Sequence, residues 1–115
     1  MATEVALTRE DGRVVCEHLL VAARPLRRLR GLLGRSSLPD GEGILLAPAG
    51  SVHTFFMRFP IDVVFLDKEH RVVGIDAEVP PWRTAGRRGA KAVVELAAGE
   101  CERRGLRPGD RLIPV

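Results

Sequence analysis

The sequence is poor in features that would staple it together or fix it in a membrane. It has only two cysteines, Cys16 and Cys101, in 115 residues. They lie far apart and form no short-spaced pair of the kind used for metal or redox work. One disulfide is open to them, but so sparse a count without an export signal points to two reduced thiols. The opening "MATEVALTREDG" is polar and acidic, without the basic start and apolar stretch of a signal peptide. The longest apolar run, Leu19 to Ala23, is far below the roughly 20 residues a membrane helix needs. A cytoplasmic location with no membrane partner is therefore expected.

Aromatic residues are also scarce: no tyrosine, one tryptophan and four phenylalanines, so Val, Leu and Ala must fill most of the core. Charge of one sign is never concentrated. The formal charge is +3, from 18 basic and 15 acidic residues, and like charges never run beyond two in a row. Basic tails are excluded, and nucleic acid is not an expected partner, because single strands are held on several stacked aromatic platforms. Sixteen of the basic residues are Arg, a bias that codon usage in a GC-rich genome explains as readily as anion recognition. Length and an ordinary apolar fraction of 45% indicate one domain, residues 1–115, with a modest core.

What is present is a succession of short elements. "TEVALT" alternates with period two, "EDGR" suits a hairpin turn, and "RVVCEHLLVA" continues as a second strand. The period then changes. In "RPLRRLRGLLGR", Leu26, Leu29 and Leu33 fall at spacings of three and four, Pro25 suits a first helical turn and Gly34 a cap. One helix is predicted there. After the loop "SSLPDGEG", strands are predicted in "GILLA", "SVHTFFM", "IDVVFLD", "RVVGIDAEV", "AVVELA" and "RLIPV". "PPWRTAGRRGAK" is read as a long basic loop and "GECERRGL" as a helical turn. The fold class is mainly β: a single-domain sandwich or barrel of short strands with one or two short helices.

The segments "RGLLGRSSLPDGEGILL", "SVHTFFMRFPIDVVFLDKEHRVV", "VPPWR", "AVVELAAGE" and "GLRPGD" resemble, in order and spacing, the domain of unknown function 192, also known as uncharacterised protein family 0127. Leu33 stands where a Met is common in that family, and Ala97 where a Pro is common. The resemblance implies a compact, mainly β domain. It supplies no reaction, so function must be argued from side chains.

The stretch "HTFFMRFPID" (residues 53–62) sets polar groups among three phenylalanines and a methionine. Read as a strand, it puts His53, Phe55 and Met57 on one face and Thr54, Phe56 and Arg58 on the other. A charge in such surroundings requires a partner, so Arg58 is expected to pair with Asp62, or to face an anionic ligand. His53 is read as a structural hydrogen-bonding residue, a proton carrier or a metal ligand. Cys16 and His18 share a strand face but lack a second pair of ligands, so no metal and no cofactor are expected. Ser51, Thr54 and Cys101 are nucleophiles by type, none in a recognised nucleophile turn. Glu95 and Asp62 could be imagined as an acid/base pair, but in "AVVELA" the Glu reads as easily as a solvent-facing residue. In the long loop, Trp82 stands beside Arg83, followed by Arg87, Arg88 and Lys91, combining a stacking surface with anion donors.

The expected function is non-catalytic binding of a small anionic molecule or a protein partner. The concave site would be made by the "HTFFMRFPID" strand and the Trp82 loop, with His53, Met57, Arg58, Asp62, Trp82, Arg83, Arg87 and Arg88 as ligand-binding residues. The alternatives are a small hydrolase or isomerase using His53 and Asp62, and a structural accessory domain.

Overall fold

The computed structural model describes residues 3–22, 36–55 and 57–115. The helix expected over 24–35 and the ring of Phe56 lie outside them. The chain is mainly β. Its elements are β1 (Thr3–Arg9), β2 (Val14–Ala22), β3 (Glu42–Leu46), β4 (Ser51–His53), β5 (Ile61–Leu66), β6 (Val72–Val79), β7 (Thr84–Gly86), β8 (Ala92–Ala97), a short helix α1 (Glu100–Arg103) and β9 (Leu112–Pro114).

Among the described residues, seven strands form one sheet in the order β6-β5-β8-β3-β2-β1-β9, and β4 pairs with β7 in a separate ribbon. Neighbours are antiparallel except β2 and β3, which run parallel and so require a crossover between Ala22 and Glu42. The two outer strands of the sheet meet. Arg71 bridges Arg111, Val72 N–H donates to Asp110 O at 2.8 Å, and Leu112 N–H donates to His70 O at 2.9 Å. This contact closes the sheet on itself, and closure selects the barrel from the two architectures the sequence allows.

Alternation along the strands then sorts the core into two layers. Leu45, Val64, Leu66, Val94 and Leu96 point into the barrel with Leu7, Val15, Cys16, Leu19 and Leu112. Ile44, Leu46, Ile61, Val63, Phe65 and Val93 point outward, where Val52, Met57 and Phe59 cover them. That is why β5 and β8 are buried at every position, as the nearly continuous apolar run of β5 predicts for a strand covered on both faces. Each fully buried Leu, Ile or Phe contributes about 1.5–3 kcal/mol. The packing leaves no room at Gly43, where a Cβ would lie 2.7 Å from Leu96 Cδ2 and 2.8 Å from the Glu95 carbonyl.

Two bulges change what the alternation predicts. In β2, Leu7 pairs with Cys16 but Val5 with Leu19, so Glu17 and His18 together oppose a single residue. Cys16 is consequently sealed in the barrel, while His18 is exposed and lies 3.0 Å from Glu4. The two do not share a face. In β6, Ile61 pairs with Val79 and Val63 with Asp76, leaving Ala77 and Glu78 opposite Asp62. Glu78 takes a positive φ of 52° there.

Asp62 fills that gap. Its side chain is fully buried, and it accepts N–H bonds from Glu78 (2.9 Å) and Gly99 (3.1 Å) on Oδ1 and from Cys101 (2.9 Å) on Oδ2. A carboxylate on β5 thus caps α1, whose own N-cap residue, Gly99, has no side chain to do so. The expected Arg58–Asp62 pair does not form: Arg58 is exposed, and no ion pair joins the two. Backbone donors replace the guanidinium because they lie inside the barrel end, on the side of β5 that Asp62 faces. α1 is further tied down through the buried Glu100, which meets Arg104 at 2.8 Å and Arg103 at 3.1 Å. Arg104 in turn grips both Glu17 oxygens, at 2.9 and 3.0 Å.

Removing the Asp62 carboxylate strands three N–H groups, that of Cys101 buried and those of Glu78 and Gly99 partly buried. Asp62→Ala is expected to lower stability in urea unfolding by about 3 kcal/mol. Arg58→Ala should change it by less than about 0.5 kcal/mol. Equal losses in the two variants would restore the ion-pair account.

Candidate functional site

The stretch read as one strand, "SVHTFFM", is extended only over Ser51–His53. Met57 N–H bonds back to Thr54 O at 3.2 Å, so the chain turns at once. The turn breaks the expected face: Phe55 is exposed, whereas Met57 is buried in the outer core. The "PPWRTAGRRGAK" loop is likewise not all loop, since Thr84–Gly86 pairs with β4 in register His53–Thr84, Val52–Ala85 and Ser51–Gly86.

Thr54 organises this region. It is 1% exposed. Its hydroxyl donates to Pro80 O at 2.7 Å and accepts from Arg83 N–H at 2.8 Å, and its carbonyl accepts from Trp82 N–H at 3.0 Å. One buried threonine thereby fixes four consecutive residues, Pro80 to Arg83. Trp82 is held at a φ of 67°. A left-handed backbone disfavours a bulky side chain by about 1–3 kcal/mol, so the surrounding bonds impose it.

The result is an aromatic ledge. Trp82 is 56% exposed and stacks on Phe55 with ring centroids 5.8 Å apart and 27° between planes. Phe55 in turn lies 5.1 Å from the half-buried His53 ring. Arg83 and Arg58, both exposed, stand next to Trp82 and shortly after Phe55 in the chain, and neither makes an ion pair with a described residue. Trp82 thus packs on another surface ring rather than folding back over the core.

The other expected site residues are dispersed. Met57 is buried in the outer core, and Asp62 faces the opposite side of β5 with its carboxylate committed to backbone amides. Arg87 lies at the far end of β7 from Trp82. Its guanidinium meets Asp76 at 2.6 Å and Ile75 O at 3.3 Å, and sits 5.7 Å from the Phe65 ring centre, directly over Gly74. It is therefore not a free anion donor. Arg88 is exposed at the following turn. Among the described residues these eight side chains are therefore not all brought together, since Asp62 and Arg87 are engaged away from Trp82. Three shallow depressions lined by described residues lie elsewhere, around Arg9 and Arg111, around Lys68, His70 and Lys91, and around Glu4 and His18.

Glu95, read from sequence as easily solvent-facing, is fully buried. It pairs with Val63 and Ile44 in the sheet and shares the outward parity of Val93, whereas Asp62 points inward. The two carboxylates therefore lie on opposite faces and make no acid/base pair. Sequence reasoning also passed over Phe55 and, as an organiser, Thr54; a lone threonine between a strand and an aromatic pair gave no signal of its long-range bonds.

Both cysteines are buried and free. Burial pushes the Cys16 thiol up to about 11 from an ordinary 9.0, and its S–H donates to Gly41 O at 3.3 Å. Burial and the neighbouring Asp62 carboxylate raise Cys101 further. Two units leave about a hundredfold less thiolate for Cys16 at pH 8. The native protein should therefore resist iodoacetamide at that pH and be alkylated at both cysteines in urea; rapid labelling of the native form would contradict this.

Thr54→Val keeps the shape and deletes the hydroxyl. It should destabilise the chain by about 1–3 kcal/mol, because the Pro80 carbonyl and Arg83 N–H lose their partner. It should also lower the fluorescence anisotropy of Trp82, the only tryptophan. Unchanged anisotropy would show that the ledge is positioned by something else.

These observations define a small closed β-barrel that carries an ordered aromatic ledge on an outer ribbon. The chain belongs to the domain of unknown function 192 family, described as Uncharacterized ACR, which it matches over residues 6–113. A UPF0127 protein of Thermococcus sibiricus is 28% identical over 111 residues, covering 92% of this chain and 71% of that protein. A UPF0127 protein of Pyrococcus furiosus is 43% identical over 63 residues, which span 54% of this chain and 53% of that protein. Among solved structures, a protein of unknown function from Novosphingobium aromaticivorans superposes with a TM-score of 0.80 at 26% identity, over 97% of this chain and 84% of the other. A Sinorhizobium meliloti protein described as a "putative transcription regulator" gives 0.83 at 25% identity, over 99% and 94%. Among the described residues no helix is long and apolar enough to cross a membrane.

Proposed function

We propose that this chain is a non-catalytic binding domain whose ledge of His53, Phe55 and Trp82 receives a ligand with a flat or apolar face beside an anionic group. The observation that carries the reading is Trp82 itself: the largest side chain in the protein is held outward on a strained backbone by a buried hydrogen-bond hub. Both strain and apolar exposure oppose folding, and neither improves the core. Such arrangements concentrate at ligand sites. Arg83 and Arg58 supply the cationic side, and a guanidinium also stacks on planar groups.

The non-catalytic part of the proposal is supported by the commitments of the chemical groups. Asp62 is directed at backbone amides away from His53, and burial raises both thiols above their ordinary range. The regulatory description of the Sinorhizobium protein does not by itself favour nucleic acid here, because the ledge offers few stacking platforms and Arg87 is internally paired.

Trp82 emission reports directly on the ledge. Titration with a panel of carboxylate- and phosphate-bearing aromatic compounds should change that emission at low salt. The effect should weaken as the Debye length shrinks from about 10 Å at 0.1 M to about 3 Å at 1 M. Arg83→Gln should weaken every hit with little change in stability, and Arg87→Gln should leave the affinity unchanged. Equal affinities for wild type and Arg83→Gln would overturn the proposed cationic side.

A further inference from the structure

Among the described residues, the ribbon that carries the ledge has an unfilled side. Thr54 N–H donates to Arg83 O at 2.8 Å and Arg87 N–H to Gly50 O at 3.3 Å. Hydrogen-bonded pairs alternate along an antiparallel ladder, so with the register given above Val52–Ala85 is the bonded pair between them. His53–Thr84 and Ser51–Gly86 are then the non-bonded pairs, whose N–H and C=O groups point away from the ribbon. For β7 those groups belong to Thr84 and Gly86. Both residues are exposed, and among the described residues neither backbone takes a partner on that side. Ala85 points down onto the outer core, so the upper surface carries only a threonine and a glycine.

An open strand edge is a template for another strand unless it is blunted, commonly by charge, proline or a bulge. β7 contains none of these; at three residues it is short, and what it offers is the outward N–H and C=O groups of Thr84 and Gly86. The charge that could have covered it, Arg87, is drawn onto Asp76 and Phe65 instead. Two guanidiniums remain at its ends: Arg83 immediately before the strand and Arg88 shortly after it, both exposed and without a carboxylate partner among the described residues.

We infer that β7 is a docking edge to which an extended acidic segment of a partner protein adds as a third strand, an inference that rests on the ledge proposed above and names its ligand. The N–H and C=O of Thr84 and Gly86 supply four main-chain hydrogen bonds in an added ladder, the pattern of strand augmentation. Acidic side chains toward the ends of the segment meet Arg83 and Arg88, and an apolar or aromatic residue at the Thr84 end lies against Trp82. Backbone bonds give affinity, and the flanking charges and the ring give selectivity.

The test is selection from a displayed random heptapeptide library on the whole chain, followed by titration of the best synthetic peptide through Trp82 emission. Acidic residues should be enriched toward the ends of the selected sequences. Thr84→Pro deletes an outward N–H that the β4–β7 ladder does not use, and edge strands accept proline. It should weaken binding at least tenfold, the effect of about one hydrogen bond, with an unchanged unfolding midpoint. N-methylation of alternate peptide amides should do the same and leaves the protein untouched, so the result does not depend on the variant folding. Peptides that bind Thr84→Pro as well as wild type and tolerate N-methylation would overturn the edge while leaving the ledge. Loss on Thr84→Pro with full binding to Trp82→Ala, read from the anisotropy of a fluorescently labelled peptide because that variant has no tryptophan, would keep the edge and overturn the ledge. A selection without acidic enrichment, or without any binder, would overturn the edge, and the small-molecule titration decides the ledge separately.

Discussion

The Asp62 carboxylate is the constraint on which the rest of the architecture depends. A carboxylate can accept about four hydrogen bonds, and a buried one is tolerated only if donors surround it. Here the donors are backbone N–H groups from two different elements, β6 at Glu78 and the entry to α1 at Gly99 and Cys101. The bulge at Ala77 and Glu78 leaves a break in the β5–β6 ladder, and the Asp62 side chain fills it. Beyond that break β6 leaves the barrel at Val79 and enters Pro80–Arg83, where Thr54 takes over the bonding. Two buried polar side chains, one at each end of residues 78–83, therefore determine where Trp82 stands. Neither touches the solvent it helps to face.

The scarcity of aromatics explains why the barrel needs an outer layer. Small β-branched and Leu side chains fill a narrow barrel well, but they leave the outward face of β5, β8 and β3 equally apolar. Covering that face requires chain from outside the sheet, and Val52, Met57 and Phe59 with the β4–β7 ribbon supply it. Val52, Met57 and Phe59 point down, and Phe55 is left pointing out. The ledge is thus the reverse side of a covering layer: the same turn that buries Met57 exposes Phe55, and Trp82 can stack on it because Thr54 draws the second segment alongside.

What was legible in the sequence follows from which interactions are local. The β1–β2 hairpin, β5 and β8 could be read because alternation and a turn signal are written in consecutive residues, and a long apolar run states that both faces are covered. Arg58–Asp62 could not be read correctly, because proximity in the chain suggested a partner while the actual partners are backbone amides without any sequence signature. The end of β4 was missed for a similar reason: apolar residues continue past His53, and the turn is imposed by bonds from Thr54 to residues 26 and 29 positions later. β7 was hidden inside a stretch rich in turn formers, since Thr-Ala-Gly is a strand only where β4 is beside it. Alternation puts His18 and Cys16 on one face, and the bulge that separates them leaves no mark in it. Of the candidate site, Trp82, Arg83 and His53 are singled out by residue type alone; the place of Phe55 between the two other rings and the diversion of Arg87 carry no local signal.

An exposed, ordered aromatic pair is thermodynamically informative in a domain of this size. Domains of about 100 residues are stable by only about 5–15 kcal/mol, and a strained φ at Trp82 takes back about 1–3 of that. The same order of energy returns on binding, because ordering a large side chain in a complex costs about 0.5–1.5 kcal/mol that a ledge already held in place does not incur again. Strain that folding has already absorbed at Trp82 and an ordering loss that binding then avoids are thus comparable in size. This balance favours a surface used in the conformation in which it folds, and it makes a rigid recognition surface a better account of the Thr54 hub than a lid that must move.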